Sequence, residues 1–149
     1  MIEVTYWITD NVGTQSINEP YPINVWIDHL LNLNDGWNPP QRIYLEAKNL
    51  LNLLYNGEKV VLVCEAGISR SNGMATLLLA YMKNIPWDEA YVEVRKKVRR
   101  AYVTPGFRDC CIDALKKLRS LTKKCPYCSS PIEDWETSCA RCWGEGRRG

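Results

Sequence analysis

The chain has 149 residues, of which 46% are hydrophobic and 24% are charged, and its formal net charge is +2. This composition suffices for one ordinary domain with a small appendage, and so mild a charge does not by itself indicate a polyanionic partner. The N-terminus lacks the basic start and apolar run of a secretory signal, and the longest apolar runs are too short to span a bilayer. We therefore expect a cytoplasmic protein that does not enter the membrane.

Strand and helix patterns follow one another along the chain in a definite order. The expected elements are a strand at 3–8, a strand within 23–33, a helix at 41–55, a short buried strand at 59–64, and helices at about 70–82, 86–100 and 104–121. Polar, turn-rich stretches lie at 10–13 and 18–20. This order predicts an α/β fold with a central, largely parallel sheet flanked by helices.

The composition changes near residues 122–124, where the aliphatic content falls and cysteines dominate. We therefore expect a catalytic domain at 1–121 and a cysteine module at 122–149. Seven cysteines without a secretory signal argue against a disulfide framework and favour metal binding or catalysis.

Cys64 ends the predicted buried strand, and five residues separate it from Arg70, Ser71 and the next helix. A loop at such a junction can turn backbone N–H groups inward, and the helix N-terminus adds positive potential. Gly67 permits a tight loop, and the Arg70 guanidinium can place two N–H groups on a phosphate. The candidate phosphate-binding loop consists of Glu65, Ala66, Gly67, Ile68, Ser69 and Arg70.

The same positive potential favours the thiolate form of Cys64, which is the nucleophilic form. Attack on phosphorus would give a phosphocysteine intermediate, and Ser71 could donate a hydrogen bond to the sulfur as it leaves. The alternative is a buried, inert cysteine at the end of a core strand. The arginine and the helix that follow favour phosphate chemistry.

Residues 64–71 resemble the Cys-x5-Arg-Ser/Thr signature of the protein tyrosine phosphatase superfamily. Ser69-Arg70-Ser71 followed by 75–82 (ATLLLAYM), with the downstream segments 88–90 (DEA), 94–95 (VR) and 105–107 (PGF), is similar to the dual-specificity type. The resemblance covers about residues 30–120. It implies the cysteine-phosphatase fold and phosphoprotein substrates bearing phosphotyrosine, and also phosphoserine or phosphothreonine. The chain departs from the pattern at Val63, where histidine is common, and at Thr104, where asparagine often stands.

The resemblance also implies a general acid, an aspartate on a loop upstream of the cysteine. Asp35 matches that place in a loop rich in glycine and proline. It would protonate the leaving oxygen and then act as a base towards water. The alternative is a turn or capping role, because Asp-Gly is a common turn pair. Asp28 is the second candidate, in a strand-like stretch. No cofactor is expected for catalysis.

Cys125, Cys128, Cys139 and Cys142 form two CxxC pairs with ten residues between them. Four thiolates at this spacing suit tetrahedral zinc, and the linker between the pairs can fold as a hairpin, so the module resembles a zinc ribbon. Two disulfides or a redox CxxC are the alternatives. Metal would supply the folding energy of so small a module.

The cysteine module has two candidate roles. Its aromatic and basic side chains could stack on bases or meet phosphates, so nucleic acid is one candidate partner. The side chains concerned are Trp135, Arg141, Trp143, Arg147 and Arg148. The other role is packing against the catalytic domain.

The leading hypothesis is a cysteine-dependent, dual-specificity-like protein phosphatase. One alternative is a phosphatase of a non-protein substrate, such as an RNA 5′ end or a phosphoinositide. Another is an inactive adaptor that only binds phosphate. Cys110 and Cys111 are expected to pack within the last helix.

Overall fold

The structure is a computed structural model that describes residues 5–65, 68–139, 141 and 142. Up to residue 120, the described chain forms a four-stranded mixed sheet and four helices, which confirms the α/β class. The strands are β1 (Tyr6–Trp7), β2 (Val12–Ser16), β3 (Trp26–Asp28) and β4 (Val60–Cys64). The helices are α1 (Pro40–Tyr55), α2 (Arg70–Lys83), α3 (Trp87–Lys97) and α4 (Pro105–Ser120).

The strand order in the sheet is β1-β2-β4-β3. β4 lies between β2 and β3 and runs parallel to both, whereas β1 is antiparallel to β2. All five residues of β4 are buried, as expected of an apolar strand at the centre of a parallel sheet. Its last residue, Cys64, is in register with Ser16, so the thiol lies at the edge where the parallel strands end.

β2 begins within the turn predicted at 10–13, which was wrong for residues 12 and 13, and no strand was predicted for residues 14–16. The five residues (VGTQS) lack the apolar alternation of a strand, yet all of them are buried. Their polar groups are hydrogen-bonded inside the protein: Gln15 Oε1 accepts from Thr5 Oγ1 at 2.6 Å, and Thr14 Oγ1 donates to Asn72 Oδ1 at 3.2 Å. Burial of polar side chains is tolerated here because each has a partner.

The helices follow their predicted bounds closely, except that α3 ends at Lys97, before the expected residue 100. Val98 leaves the helical conformation while its N–H still bonds Val94 O at 2.8 Å. The chain then turns, and Tyr102 N donates to Ile68 O at 3.2 Å. The early end of α3 therefore brings residues 101–104 to the segment that follows Cys64.

α2 is the most deeply buried helix among those described, with every residue from 71 to 80 buried. It packs against β2, β4, α3 and α4, while α1 packs against α4 and β4. Gly73 permits the closest of these approaches, because a Cβ on it would lie 2.6 Å from the ring of Phe107. In the described part of the chain, no helix combines the length and apolar character needed to cross a membrane.

The cysteine module contains two short antiparallel strands, β5 (Lys123–Lys124) and β6 (Pro131–Ile132). These strands enclose the first CxxC pair. The expected hairpin in the linker between the two pairs was therefore misplaced. Ser129 adopts a φ of 70°, and its N–H bonds Cys125 O at 2.8 Å, which closes the turn around that pair.

Candidate active site and cysteine cluster

The carboxyl end of β4 and the start of α2 place Cys64 above Ser71. The Cys64 Sγ and Ser71 Oγ atoms are 3.3 Å apart, and Ser71 is completely buried. The backbone beside the thiol is held by β2 and the turn after it, since Cys64 O accepts from Ile17 N at 3.1 Å and Glu65 O accepts from Ser16 Oγ at 3.2 Å. The sulfur is thus fixed by strand pairing before any ligand binds.

Arg70 is the first residue of α2, so its guanidinium lies next to the loop that follows Cys64. Its Nη1 donates to Leu33 O at 3.3 Å, which links it to the loop that carries Asp35. A guanidinium has five N–H donors, so one bond to Leu33 still allows a two-pronged contact with phosphate. Ala66 and Gly67 of the predicted phosphate-binding loop lie outside the described residues.

Asp35 is exposed but held in place by two hydroxyl groups. Ser69 Oγ donates to Asp35 Oδ1 at 2.7 Å, and Thr104 Oγ1 donates to the same oxygen at 3.1 Å. Ser69 Oγ also accepts from Thr104 N at 3.2 Å. The carboxylate is therefore hydrogen-bonded both to the loop after Cys64 and to the N-terminus of α4. Thr104 stands where asparagine is often found in the dual-specificity pattern, and it donates one of these hydrogen bonds.

An open cavity of about 450 Å³ brings the predicted residues together. Cys64, Arg70 and Asp35 all line this cavity, and the exposed Tyr102 lies at its margin. The full lining is Asp35, Cys64, Glu65, Ile68, Ser69, Arg70, Tyr102 and Thr104. This arrangement combines a thiol, a guanidinium and a carboxyl group around a space that fits a phosphate group.

Asn38 shapes the loop that carries Asp35, although the sequence analysis did not single it out. Its buried side chain donates to Asn34 O at 2.9 Å and Gly36 O at 3.1 Å, and its Oδ1 accepts from Asn34 N at 2.7 Å. Its own N–H points to Cys110 Sγ at 3.5 Å. An asparagine between a tryptophan and two prolines gives no signal for such a role, because the partners are backbone atoms.

The Pro-Gly-Phe segment has a packing role on each side of the cavity. A Cβ on Gly106 would lie 3.4 Å from Gly36 and from Trp37 N, an ordinary van der Waals distance, so the start of α4 lies close to the Asp35 loop at this position. Phe107 is completely buried against Gly73 at the start of α2. The segment therefore sets the spacing between the carboxylate and the Cys64 loop.

Asp28, the second candidate for the general acid, does not line the cavity. Its Oδ1 accepts from Leu30 N at 2.8 Å at the end of β3. A hydrogen bond from the Glu46 carboxyl to Asp28, followed by burial, raises the pKa of Glu46 to about 8. Asp28 thus links β3 to α1.

The four cysteines of the module come together as the spacing predicted. Their sulfur atoms all lie within 4.8 Å of one another, and three of the four residues are buried. Four Zn–S bonds of about 2.3 Å would place sulfurs about 3.8 Å apart, so the cluster could bind a metal ion such as zinc. Cys128 Sγ and Cys139 Sγ, for example, are 3.5 Å apart.

The two cysteines of α4 differ in their surroundings. Cys111 is completely buried, and burial raises the pKa of its thiol well above the usual value, which fits a core residue. Cys110 lies against Asn38, where its thiol is 3.8 Å from Asn38 O.

Comparison with solved structures shows that the fold is similar to that of known phosphatases. A leucine-rich-repeat and phosphatase-domain protein from Entamoeba histolytica aligns with a TM-score of 0.67 at 14% identity, over 81% of this chain and 96% of that one. A point variant of human DUSP28 aligns with a TM-score of 0.66 at 10% identity, over 80% and 99%. PTPMT1 in complex with PI(5)P aligns with a TM-score of 0.52 at 20% identity, over 58% and 55%.

These identities establish a shared fold and nothing finer. No protein-family model matches the chain, and no curated protein sequence matches it either. The residue resemblance and the structural similarity nevertheless point to the same class of fold, that of dual-specificity and tyrosine phosphatases.

Proposed function

We propose that this chain is a phosphatase that hydrolyses phosphoesters through a phosphocysteine intermediate. The observation that carries the proposal is the meeting of Cys64, Arg70 and Asp35 around one cavity, with Ser71 beneath the sulfur. A buried cysteine needs none of these neighbours for packing. A nucleophile that attacks phosphate needs all of them.

In the first step, the Cys64 thiolate attacks phosphorus and the bond from phosphorus to the leaving oxygen breaks. Asp35 transfers its proton to that oxygen as it departs. The Arg70 guanidinium and the backbone N–H groups at the start of α2 bind the phosphoryl oxygens, whose charge is spread over the transition state. The products of this step are the free alcohol or phenol and phosphocysteine.

In the second step, the Asp35 carboxylate takes a proton from water, and the water oxygen attacks phosphorus. The sulfur–phosphorus bond breaks, phosphate leaves, and Cys64 returns as a thiolate. Ser71 Oγ, 3.3 Å from the sulfur, can donate a hydrogen bond to that thiolate and make it a better leaving group.

The substrate class we favour is a phosphoprotein that bears phosphotyrosine, with phosphoserine or phosphothreonine as further targets. The open cavity, with Tyr102 at its margin, supports this choice because it leaves room for a peptide side chain. A phosphoinositide is the second candidate, supported by the structural similarity to PTPMT1 bound to PI(5)P. A panel of phosphopeptides and short-chain phosphoinositides separates the two by kcat/KM.

We also propose that the four cysteines of the module bind one structural Zn²⁺, which takes no part in either chemical step. The ion would join two parts of a short chain through four thiolates. Measuring zinc per chain in the purified protein, and again in Cys139→Ser, tests this assignment. One equivalent in the native chain and much less in the variant are expected.

The first experiment measures hydrolysis of an aryl phosphate by the native chain, Cys64→Ser and Asp35→Asn between about pH 5 and 8. We expect no turnover by Cys64→Ser and a large loss in Asp35→Asn, which should be greater with an alkyl phosphate because a poorer leaving group needs the proton more. Asp113→Asn, at an exposed position of α4, is the matched control and should retain full activity. A folded native chain that fails to turn over at any pH would refute the enzyme and favour a phosphate-binding adaptor.

A further inference from the structure

One side of α1 carries a row of side chains that face the cysteine module. Tyr44, Lys48, Asn52 and Asn56 follow one another at four-residue spacing, which places them on a single face of the helix and its C-cap. We call these four residues the docking stripe. Each of them contacts the module, so the module lies along the helix rather than beside its end.

The first half of the docking stripe binds two carboxylates of the module. The Tyr44 hydroxyl donates a hydrogen bond to the Glu133 carboxylate, and Lys48 Nζ lies 2.6 Å from Glu136 Oε1. The Lys48 and Glu136 side chains are only 12% and 15% exposed, and Glu133 N donates to the same Glu136 oxygen at 2.8 Å. A shielded ion pair with additional hydrogen bonds is much more sensitive to the loss of one partner than an exposed pair.

The second half of the docking stripe lies next to the cysteines themselves. Ser130 Oγ donates to Asn52 Oδ1 at 2.9 Å, and both residues are buried. Cys142 Sγ lies 3.8 Å from Asn56 Oδ1, and Ser130 Oγ lies 3.2 Å from Cys128 Sγ. The docking stripe therefore touches one metal-binding candidate directly and a second through Ser130.

The part of the module that the structure describes, residues 122–139, 141 and 142, has almost no apolar core of its own. Its buried cluster consists of Ile132 together with the cysteine side chains. A single buried isoleucine cannot offset the conformational entropy of ordering some twenty residues, so the module needs the metal to keep this conformation. The surfaces that cover the docking stripe exist only in that conformation.

We propose that metal binding at the cysteine cluster stabilises the whole phosphatase domain, because the metal-ordered module clamps α1 through the docking stripe. The metal then acts on the folding of residues far from the cluster, by linkage between binding and folding. The module is accordingly an integral part of the domain and not an independent recognition arm. This inference concerns folding and stands whether or not the chain is a phosphatase.

Hydrogen exchange of the full chain, with and without Zn²⁺, tests whether metal binding stabilises the domain through the docking stripe. The informative peptides cover β2 and residues 73–80 of α2, which have no hydrogen bond or ion pair to the module within the described part of the chain. If their amides exchange through global unfolding, free Zn²⁺ at 100 times its Kd should slow that exchange by about 100-fold. A metal-free chain that fails to fold also supports this coupling. If the module were independent, the rest of the domain would stay folded without the metal.

Two variants of the docking stripe remove the coupling without touching the cysteines. Lys48→Met and Asn52→Ala should still bind one Zn²⁺ per chain, while the slowing of exchange in β2 and α2 falls below about tenfold. Comparing each variant with and without Zn²⁺ cancels the direct effect of the substitution. Asn49→Ala, at an exposed position of the same helix, is the matched control and should keep the full response.

Three results would overturn the proposed coupling between metal binding and the stability of the domain. In the first, Zn²⁺ binds and protects only residues 123–142, which would make the module independent. In the second, Lys48→Met and Asn52→Ala keep the full response of the native chain, which would remove the docking stripe from the coupling. In the third, the full chain does not bind Zn²⁺ under reducing conditions.

Discussion

The cysteine at the end of β4 and the four cysteines of the module are positioned by different parts of the molecule. Cys64 lies on a buried central strand, between a paired strand and a helix whose residues 71–80 are all buried. The four cysteines of the module lie around one isoleucine, Ile132, and their sulfurs meet within 4.8 Å.

The difference shows what each kind of site requires. A nucleophilic thiol must stay unbound to metal and face an open cavity, so its surroundings must be built by packing alone. A structural metal site can form in a segment with little core, because the ion supplies the cross-link. Changes near Cys64 should therefore act through packing and hydrogen bonds, and changes in the module through metal affinity.

Among the substitutions that should affect one region and leave the other unchanged, Arg70→Lys is expected to have the largest effect. An ammonium cannot reproduce the two-pronged contact of a guanidinium with phosphate, and it also loses the geometry of the bond to Leu33 O. We expect kcat/KM for an aryl phosphate to fall by about 100-fold or more. The zinc content and the thermal midpoint should remain close to those of the native chain. Retention of near-native kcat/KM would contradict the phosphate-binding role of Arg70.

The next largest effect concerns the packing beneath the Cys64 loop. In Gly73→Ala, the new Cβ would lie 2.6 Å from Phe107 Cε2 and 3.3 Å from a Val103 methyl group. Phe107 is completely buried and cannot move aside, so the cost should be about 1–3 kcal/mol of unfolding free energy. Urea denaturation measures it.

Gly106→Ala is the matched control for Gly73→Ala. Its Cβ would lie 3.4 Å from the Gly36 backbone, an ordinary contact, and the destabilisation should be clearly smaller. Equal losses in the two variants would indicate that glycine flexibility, and not the clearance of Phe107, sets the cost.

The residues that we propose for the chemistry could be singled out in the sequence because they lie close together along the chain. Cys64, Arg70 and Ser71 fall within eight residues at a strand–helix junction, and the helices have regular apolar spacing. The strand β2 could not be predicted in the same way. Its polar side chains find partners far along the chain, as Thr14 does with Asn72. A local pattern contains no information on such pairs.

The contacts that hold the site in place could not be predicted, for the same reason. Asn38 bonds backbone atoms within its own loop, and Ser69 and Thr104 reach Asp35 from 34 and 69 positions away. The docking stripe also has partners about 80 or more positions away. Spacing along α1 shows that these residues share a face, but only the tertiary structure shows what covers it.

Thr104→Val should have a moderate effect on the reaction. It removes one of two hydroxyls that bind Asp35 Oδ1, while Ser69 still holds the carboxylate. If loss of this hydrogen bond raises the activation free energy by about 1 kcal/mol, kcat should fall by about 3- to 10-fold. The fall should be larger for an alkyl than for an aryl phosphate, with KM little changed. Thr104→Ser keeps the hydroxyl and should restore kcat; if it does not, the hydroxyl is not the relevant group.

The smallest effect is expected on α1, the helix that borders both regions, where Glu46 shares a hydrogen bond with Asp28. Because the pKa of Glu46 is raised to about 8 from 4.5, the folded chain retains a proton that the unfolded chain releases. The stability that this proton confers is fully present below about pH 4.5 and is lost as the pH rises to about 8.

Glu46→Gln tests this sign, because an amide N–H can donate to Asp28 without taking up a proton. The variant should match the native chain near pH 4 and exceed it near pH 8 by about 1 kcal/mol, a value reduced for partial solvent screening. Urea denaturation at several pH values measures the difference. Glu93→Gln breaks an exposed pair with Lys83 and should show no such gain. A Glu46→Gln variant that is less stable than the native chain at pH 8 would mean that the ionised pair is the stabilising form, and that α1 is joined to β3 by something other than a shared proton.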